Sequence, residues 1–171
     1  KVSSYYLLKN FRDKDSLYIS TGIMYNHESS RRGSQFVTKK IISTAVKIKH
    51  KLSDKLELGN LEAMRDWGYA PDYVYAIWLV LQQKEPSDYI ISTGKLHSVR
   101  NFLETVFTYL GLDYKKYVVV NKDFYRESEK IALCGDASKI RSLGWKETKN
   151  LQEIIEEMIE VEIEKISRKK I

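Results

Sequence analysis

Three polar segments of the sequence each place an arginine among other hydrogen-bonding side chains. They read NHESSRRG at 26–33, GNLEAMRDWG at 59–68 and FYRESE at 124–129. The first follows an apolar run typical of a buried strand, and open α/β sheets bind ligands beyond their strand ends. A guanidinium is planar and permanently charged, so arginines from separate loops can converge on a diphosphate. The spacing therefore favours a small phosphorylated ligand.

Other common reaction centres have no signature in this sequence. There is no G-x-G-x-x-G loop for a dinucleotide, no G-x-S-x-G nucleophile turn and no H-E-x-x-H metal motif. His27, His50 and His97 are the only histidines, and none has a second ligand at metal-binding spacing. Cys134 is the single cysteine, which excludes an intrachain disulfide, and its apolar neighbours predict that it is buried. We expect no metal site.

The composition is that of one globular unit with a basic surface. The chain has 171 residues, a formal net charge of +6 and a pI near 9.2. This charge suits nucleic acid, an anionic membrane or a phosphorylated small molecule, and it does not choose among them. The sequence has no nucleic-acid-binding signature and no apolar run of the ~18 residues that span a membrane. We expect a cytoplasmic protein without a nucleic-acid or membrane partner.

Apolar spacing predicts helices that alternate with short strands. The helical period is clearest between Ser98, a good cap, and Gly111, a good helix end. Asn150 and Glu153 form a capping pair for a long final helix. Helices are predicted at 5–11, 36–50, 71–81 and 98–111, followed by a short helix that ends at 143–145 and a long helix from 150 onward. Strands are predicted at 17–25, 55–60, 88–94 and 117–120. This order indicates an α/β fold.

The helix that begins at Pro71 is rich in aromatic residues. It carries Tyr73, Tyr75 and Trp78, which we expect to fill the core. No linker or internal repeat divides the chain, so one domain or most of one is predicted. The strands are too few for a whole nucleotide-binding sheet.

Three segments, in this order, resemble the GDP-mannose 4,6-dehydratase family of extended short-chain dehydrogenases/reductases. NHESSRRG resembles the family's usual NHESPRRG, FVTKKI at 36–41 resembles FVTRKI, and GNLEAMRDWG resembles GNL-x-x-x-RDWG. Weaker matches continue through ISTGKLHSVRNFLE and GDASKIRSLGW. The resemblance therefore spans nearly the whole chain.

This resemblance implies the C-terminal part of an extended Rossmann-type sheet together with a smaller, mixed α/β substrate-binding domain. Residues 1–34 would be the last part of the Rossmann-like domain. Residues from about 35 to 171 would mainly form the sugar-nucleotide-binding domain, with some segments returning to the Rossmann sheet. The family's glycine-rich loop and catalytic tyrosine would lie upstream of Lys1.

The resemblance also implies NADP as the cofactor. Lys1 aligns with the lysine of the family's catalytic Tyr-x-x-x-Lys motif, where it would hold the cofactor ribose and lower the pKa of the tyrosine. His27 and Arg32 match positions that contact NADP in the family. An arginine is well suited to a phosphate.

A further set of residues is implied to bind the sugar nucleotide. The positions that match the family's GDP-sugar contacts are Asn26, Lys40, Arg65, Arg126 and Glu129. Asn60 could donate to the nucleotide, although asparagine after glycine is also an ordinary turn. Asp66 and Trp67 are expected to be structural.

The implied activity is that of a lyase that converts GDP-mannose to GDP-4-keto-6-deoxymannose, in a homodimer or homotetramer. This chain alone would be inactive, because most of the catalytic groups lie upstream in the family. Ser30 replaces the family's proline and Glu127-Ser128 replaces Pro-Thr, which leaves a GDP-heptose dehydratase or a related epimerase open. An alternative of another class is a stand-alone nucleotide-binding or interaction module.

Overall fold

A computed structural model describes residues 1–125 and 131–168 as an α/β protein. The helices are α1 (Val2–Asp15), α2 (Val37–Lys49), α3 (Ala70–Leu81), α4 (Val99–Tyr109), α5 (Ser138–Arg141) and α6 (Leu151–Arg168). The strands are β1 (Thr21–Met24), β2 (Asn26–Glu28), β3 (Leu56–Leu58), β4 (Met64–Tyr69), β5 (Asp88–Ile91), β6 (Leu96–Ser98) and β7 (Val118–Val120). Within these ranges, no helix has the length and apolar character needed to cross a bilayer.

The strands form three small groups. β1 pairs with β5, β2 with β4 and β3 with β7, and each of these pairs is parallel. β6 is antiparallel to β4, so that β4 stands between β2 and β6. The register of the β2–β4 pair places Asn26 beside Trp67 and Glu28 beside Tyr69. This pairing brings the first two arginine-bearing segments of the sequence next to each other.

The larger core lies where α2, α4 and α6 pack against one another. Each helix is apolar along one stripe, because residues three or four apart share a helix face. Ile41 and Ala45 of α2, Phe102 and Val106 of α4, and Met158 of α6 are fully buried in this way. The three helices thus form a rigid block beside β3 and β4.

A second, smaller core lies between α3, β5 and α5. Tyr73 and Ala76 of α3 pack there with Ile91 and Trp145. The indole Nε1 of Trp145 donates to the carbonyl of Asp72 at 2.8 Å. The hydrogen bond satisfies the only polar atom of a buried side chain.

Helix α1 is held by polar contacts, because none of its residues is buried. The Tyr5 hydroxyl donates to Asp88 Oδ2 at 2.8 Å, and Arg12 Nη1 donates to Asp88 Oδ1 at 2.7 Å. The Arg12 guanidinium lowers the pKa of Asp88 to about 2. One carboxylate at the start of β5 therefore anchors this helix.

Most of the predicted elements are confirmed. Ser98 Oγ accepts from the Asn101 amide at 3.0 Å and so caps α4, and Gly111 after its end has φ +66°. Asn150 and Glu153 exchange side-chain-to-amide bonds of 2.7 and 3.0 Å, as a capping box requires. The apolar run at 17–25 forms two short strands, β1 and β2, instead of one.

Two expectations about burial were wrong. Tyr75 and Trp78 are exposed and stack on each other, with ring centroids 5.6 Å apart. They lie off the buried stripe that Tyr73 and Ala76 define, and a helix that is apolar on every side does not reveal this stripe in its sequence. Cys134 is also exposed. The division of the chain near residue 35 stays a prediction.

Candidate functional site

One cavity of about 720 Å³ lies between the end of β2, the first turn of α2 and β4. The residues that line it are Asn26, Glu28, Arg32, Gln35, Phe36, Val37, Thr38, Lys40, Leu58, Gly59, Asn60, Arg65, Trp67, Val99, Asp123, Phe124 and Tyr125. The first two arginine-bearing segments of the sequence thus meet at one cavity. The third reaches it through the residues that come just before its arginine.

Strand β2 divides its side chains between two faces. Successive side chains of a strand point to opposite sides, so Asn26 and Glu28 face the cavity, whereas His27 does not line it. The His27 ring instead packs against Tyr73, with centroids 5.0 Å apart, and its Nδ1 lies 2.9 Å from the carbonyl oxygen of Tyr25. The predicted cofactor residue and the predicted substrate residue of this strand therefore lie on opposite sides of it.

Arg32 lies in the loop after β2 and forms part of the cavity wall. Its guanidinium carbon is 3.5 Å from the centroid of the Phe36 ring, and its Nε is 3.3 Å from Glu28 Oε2. The Thr38 hydroxyl donates to the same carboxylate oxygen at 2.7 Å. Burial raises the pKa of Glu28, while the Thr38 hydrogen bond and the Arg32 charge oppose that rise.

Lys40 reaches the cavity from the first turn of α2. Phe36, in extended conformation, precedes the helix, and Lys40 follows it by four residues, so both line the cavity. Lys40 Nζ lies 4.7 Å from the centroid of the Phe124 ring. The neighbouring Lys39 instead pairs with Glu162 at 2.6 Å. Of these two consecutive lysines, Lys40 is the one at the cavity.

Strand β4 presents Arg65 and Trp67 to the cavity. They are two residues apart, which places both on one face of the strand. Trp67 is buried and packs against Phe102, with ring centroids 5.3 Å apart. The indole therefore supports the cavity wall as well as the core. Asn60 lines the same cavity, and its Oδ1 accepts from the Glu62 amide at 2.9 Å, which is the ordinary turn contact.

Asp66 occupies the opposite face of β4 and is completely buried. Its Oδ1 accepts from the amide and the hydroxyl of Thr93, at 2.9 and 2.6 Å. Its Oδ2 accepts from the amides of Gly94 and Gly135, at 2.9 and 3.4 Å. One carboxylate thus ties β4 to the end of β5 and to the segment that returns after residue 130.

The remaining predicted site residues do not line the cavity or lie outside the description. Lys1 is exposed and occupies the N-cap position of α1. Arg126 and Glu129 lie outside the described residues, although residues 123–125 line the cavity. Their assignment to the sugar nucleotide stays a prediction, as do the assignments of Lys1 and His27 to the cofactor.

Sequence reasoning missed the side chains that support the predicted ligand residues. Glu28 lies two residues after Asn26, and a strand pattern would have placed both on one face. Phe36 lies four residues before Lys40, which is the spacing of neighbours on a helix. The contact between Glu28 and Thr38 had no such signal, because it joins a strand to a helix across a loop.

The wall around Arg32 fits an anionic group such as a cofactor phosphate. Arg32 Nε is buried and makes no hydrogen bond among residues 1–125 and 131–168. The ion pair with Glu28 leaves the two terminal nitrogens without a protein partner in the same ranges. Those nitrogens can donate to phosphate oxygens. Nowhere in the described part of the chain do three or more His, Cys, Asp or Glu side chains gather as a metal site would require.

The sequence matches one family over most of its length. The family model described as GDP-mannose 4,6 dehydratase matches residues 1–158. GDP-mannose 4,6 dehydratase 1 of Arabidopsis thaliana is 42% identical over 172 residues, which cover 100% of this chain and 48% of the relative. The human GDP-mannose 4,6 dehydratase is 39% identical and covers 96% of this chain and 49% of the relative. The chain thus spans about half the length of the curated relatives it matches.

Solved structures confirm the fold class. The RMD protein of Pseudomonas aeruginosa complexed with NADPH matches with a TM-score of 0.87 at 17% identity, over 96% of this chain and 55% of that one. The dTDP-glucose 4,6-dehydratase of Bacillus anthracis in complex with NAD matches with a TM-score of 0.83 at 17% identity, over 98% and 51%. At this identity the likeness establishes the fold, which is that of Rossmann-type epimerases and dehydratases.

Proposed function

Because the chain belongs to the GDP-mannose 4,6-dehydratase family, we propose that it forms the sugar-nucleotide-binding part of an NADP-dependent lyase. The reaction converts GDP-mannose to GDP-4-keto-6-deoxymannose with loss of water. We place the enzyme in the cytoplasm as a homodimer or homotetramer. Its activity requires the upstream half of the family's chain, so this part alone is inactive.

The cavity is the observation that carries this proposal. It gathers residues from three separate segments of the sequence, namely Asn26, Arg32, Lys40, Asn60 and Arg65. Three of these side chains are cations, and a diphosphate is the anion that several converging cations bind best. A surface with scattered charge would suit a polyanion, whereas a concave site with few convergent polar groups suits a small ligand.

In this proposal Lys40 and Arg65 bind the diphosphate of the GDP-sugar from opposite walls. Asn26 and Asn60 add neutral donors, and Arg126 and Glu129 contact the nucleoside. Trp67 forms part of this wall and packs against Phe102 behind it, so the ligand groups project from a packed support. Binding away from the reacting carbons orients the hexose for the chemical steps.

Three residues of this chain would hold the cofactor. When bound, NADP would take a hydride from C4 of the hexose and return it at C6. Arg32 would donate to a cofactor phosphate, and His27 would contact the cofactor from the other face of β2. Lys1 would hold the ribose and keep the pKa of the upstream tyrosine low, so that this tyrosine can remove a hydroxyl proton.

Calorimetry with GDP-mannose tests the proposal, using the protein produced together with its upstream half. Arg65→Ala should weaken binding by about 1–3 kcal/mol, the usual worth of a hydrogen bond to a charged group. Arg168→Ala is the matched control, because Arg168 is an exposed arginine at the end of α6, outside the cavity wall. Equal affinity of both variants would remove Arg65 from the site.

A turnover measurement separates the proposed enzyme from the alternatives. The chain produced with its upstream half should release the 4-keto-6-deoxy product from GDP-mannose, and the chain alone should not. Turnover of a GDP-heptose but not of GDP-mannose would support the heptose dehydratase, an alternative that the changes at Ser30 and Glu127-Ser128 leave open. Binding without any turnover in the longer protein would support a stand-alone binding module.

A further inference from the structure

Glu28 is a charged residue in a position where charge is costly. It ends β2, faces the cavity, and is only 1% exposed. Removing a carboxylate from water is unfavourable unless the protein supplies partners for it. The role of this carboxylate can therefore be inferred from its two partners, Thr38 and Arg32.

The partners of Glu28 lie in the loop after β2 and in the helix that follows this loop. The Thr38 hydroxyl, in the first turn of α2, donates to Oε2 at 2.7 Å. Arg32 Nε, in the loop, lies 3.3 Å from the same oxygen. A single oxygen thus connects the strand before the loop, the loop itself and the helix after it. This contact fixes the path of residues 29–36.

The Arg32 side chain is held at Nε, and its two terminal nitrogens lie outside that contact. The guanidinium lies over the Phe36 ring at 3.5 Å, and Nε faces Glu28. The terminal nitrogens have no protein partner in the described ranges. A guanidinium held in this way needs little reorganisation when it binds a phosphate, because its rotamer is already set.

We propose that Glu28 is a positioning residue for both ligands: it holds Arg32 ready for a cofactor phosphate, and through Thr38 it fixes the first turn of α2, which carries Lys40. This role rests on the proposed function and adds to it a residue that acts through Arg32 and Thr38. An amide in place of Glu28 would keep the Thr38 hydrogen bond without burying a charge. The ion pair with Arg32 is therefore what only the carboxylate supplies.

A double-mutant cycle on NADP binding tests the link between Glu28 and Arg32. In the protein produced with its upstream half, Glu28→Gln should weaken NADP binding about tenfold, the size of an ordinary coupling between contacting residues. In an Arg32→Ala background, the same Glu28→Gln change should have no further effect on NADP affinity. Unchanged or tighter NADP binding by Glu28→Gln alone would overturn the proposal, and so would equal effects in both backgrounds.

A separate experiment tests whether Glu28 positions Lys40 through its hydrogen bond with Thr38. Thr38→Val should raise the KM for GDP-mannose about fivefold with little change in kcat, because a shifted first turn of α2 moves Lys40. Thr38→Ser keeps the hydroxyl and should restore the KM. If Thr38→Ser behaves like Thr38→Val, the hydrogen bond to Glu28 is not what matters and this part of the proposal fails.

Two controls keep the result interpretable. Thermal melting of each variant shows whether it is folded, and Glu28→Gln should melt no lower than the unmodified protein. A lower melting temperature with unchanged affinities would indicate a purely structural role and overturn the proposal. If the unmodified protein binds neither NADP nor GDP-mannose, the proposed function fails and this inference fails with it. If it binds both and the cycle shows no coupling, only this inference fails.

Discussion

The two faces of the β2–β4 pair each bury a carboxylate, but they treat it differently. On the inner face, Asp66 accepts four hydrogen bonds, three of them from main-chain amides. On the cavity face, Glu28 has one hydroxyl donor and one arginine, and that arginine is itself incompletely paired. The carboxylate on the inner face thus has a full set of protein donors, whereas on the cavity face the Arg32 guanidinium retains N–H groups that can donate to a ligand.

This difference shows how one pair of strands can combine a stabilising face with the proposed binding face. Side-chain alternation separates the two tasks by one residue along the chain. Asp66 lies between Arg65 and Trp67, which face the cavity, and it anchors the strand from behind. A binding face can remain incompletely paired because the opposite face fixes the backbone.

The largest effect is expected from removing the inner carboxylate. Asp66→Ala would leave the amides of Thr93, Gly94 and Gly135 without their acceptor. Each buried donor left unpaired costs about 1–3 kcal/mol, so a loss of about 4 kcal/mol in the free energy of unfolding is expected. Chemical denaturation checks this, with the exposed Asp54→Ala as control. A loss no larger than that of the control would mean that the inner face is not the anchor.

A smaller loss is expected where the inner face has no room. A Cβ on Gly68 would lie 2.5 Å from Cε2 of Tyr73, whose ring is buried and cannot move aside. Gly68→Ala should therefore cost about 2 kcal/mol of unfolding free energy, the usual effect of overpacking. Gly33→Ala is the matched control, because its Cβ would meet only the side chain of the exposed Gln35. Equal melting temperatures for both variants would contradict the comparison.

The smallest effect concerns the pH dependence contributed by Glu28. Burial raises its pKa above the ordinary value of 4.5, so the folded chain holds this proton more tightly than the unfolded chain. The stability from Glu28 is therefore complete below pH 4.5 and is lost as the pH rises through the raised pKa. The stability difference between Glu28→Gln and the unmodified chain should therefore shift in favour of the variant when the pH is raised from 4 to 7. Denaturation at both pH values measures this gain.

The control for this pH effect is an exposed carboxylate. Glu85 is exposed, and Glu85→Gln should show the same stability difference from the unmodified chain at both pH values. If the stability difference between Glu28→Gln and the unmodified chain is also the same at both pH values, burial on the cavity face does not disfavour the charged carboxylate. The contrast with Asp66 would then lose its basis.

Much of the fold could be predicted from the sequence because local signals were strong. The apolar stripes of α2 and α4 and the caps at Ser98 and Asn150 depend on residues three or four apart, which a single sequence displays. Helix α3 was harder, since its apolar residues surround the axis. Only the packed structure shows that Tyr75 and Trp78 lie off the buried stripe.

Several residues that line the cavity could be predicted from the sequence, whereas the contacts that support them could not. Arg32, Lys40 and Arg65 stand in recognisable segments, and the cavity brings them together. The link from Glu28 to Thr38 crosses a loop and joins elements of different kinds, so no periodicity indicates it. His27 lies on the far face of β2, which follows from alternation once the strand is placed correctly.

The brevity of β2 has a consequence for how this segment can evolve. Its three residues assign Asn26 and Glu28 to one face and His27 to the other, and their neighbours on β4 fix that register. Shifting this register by a single residue would exchange all three side chains between faces. We therefore expect related sequences to differ here by substitution more than in length. The segment can serve as a reference point of constant length when distant relatives are aligned.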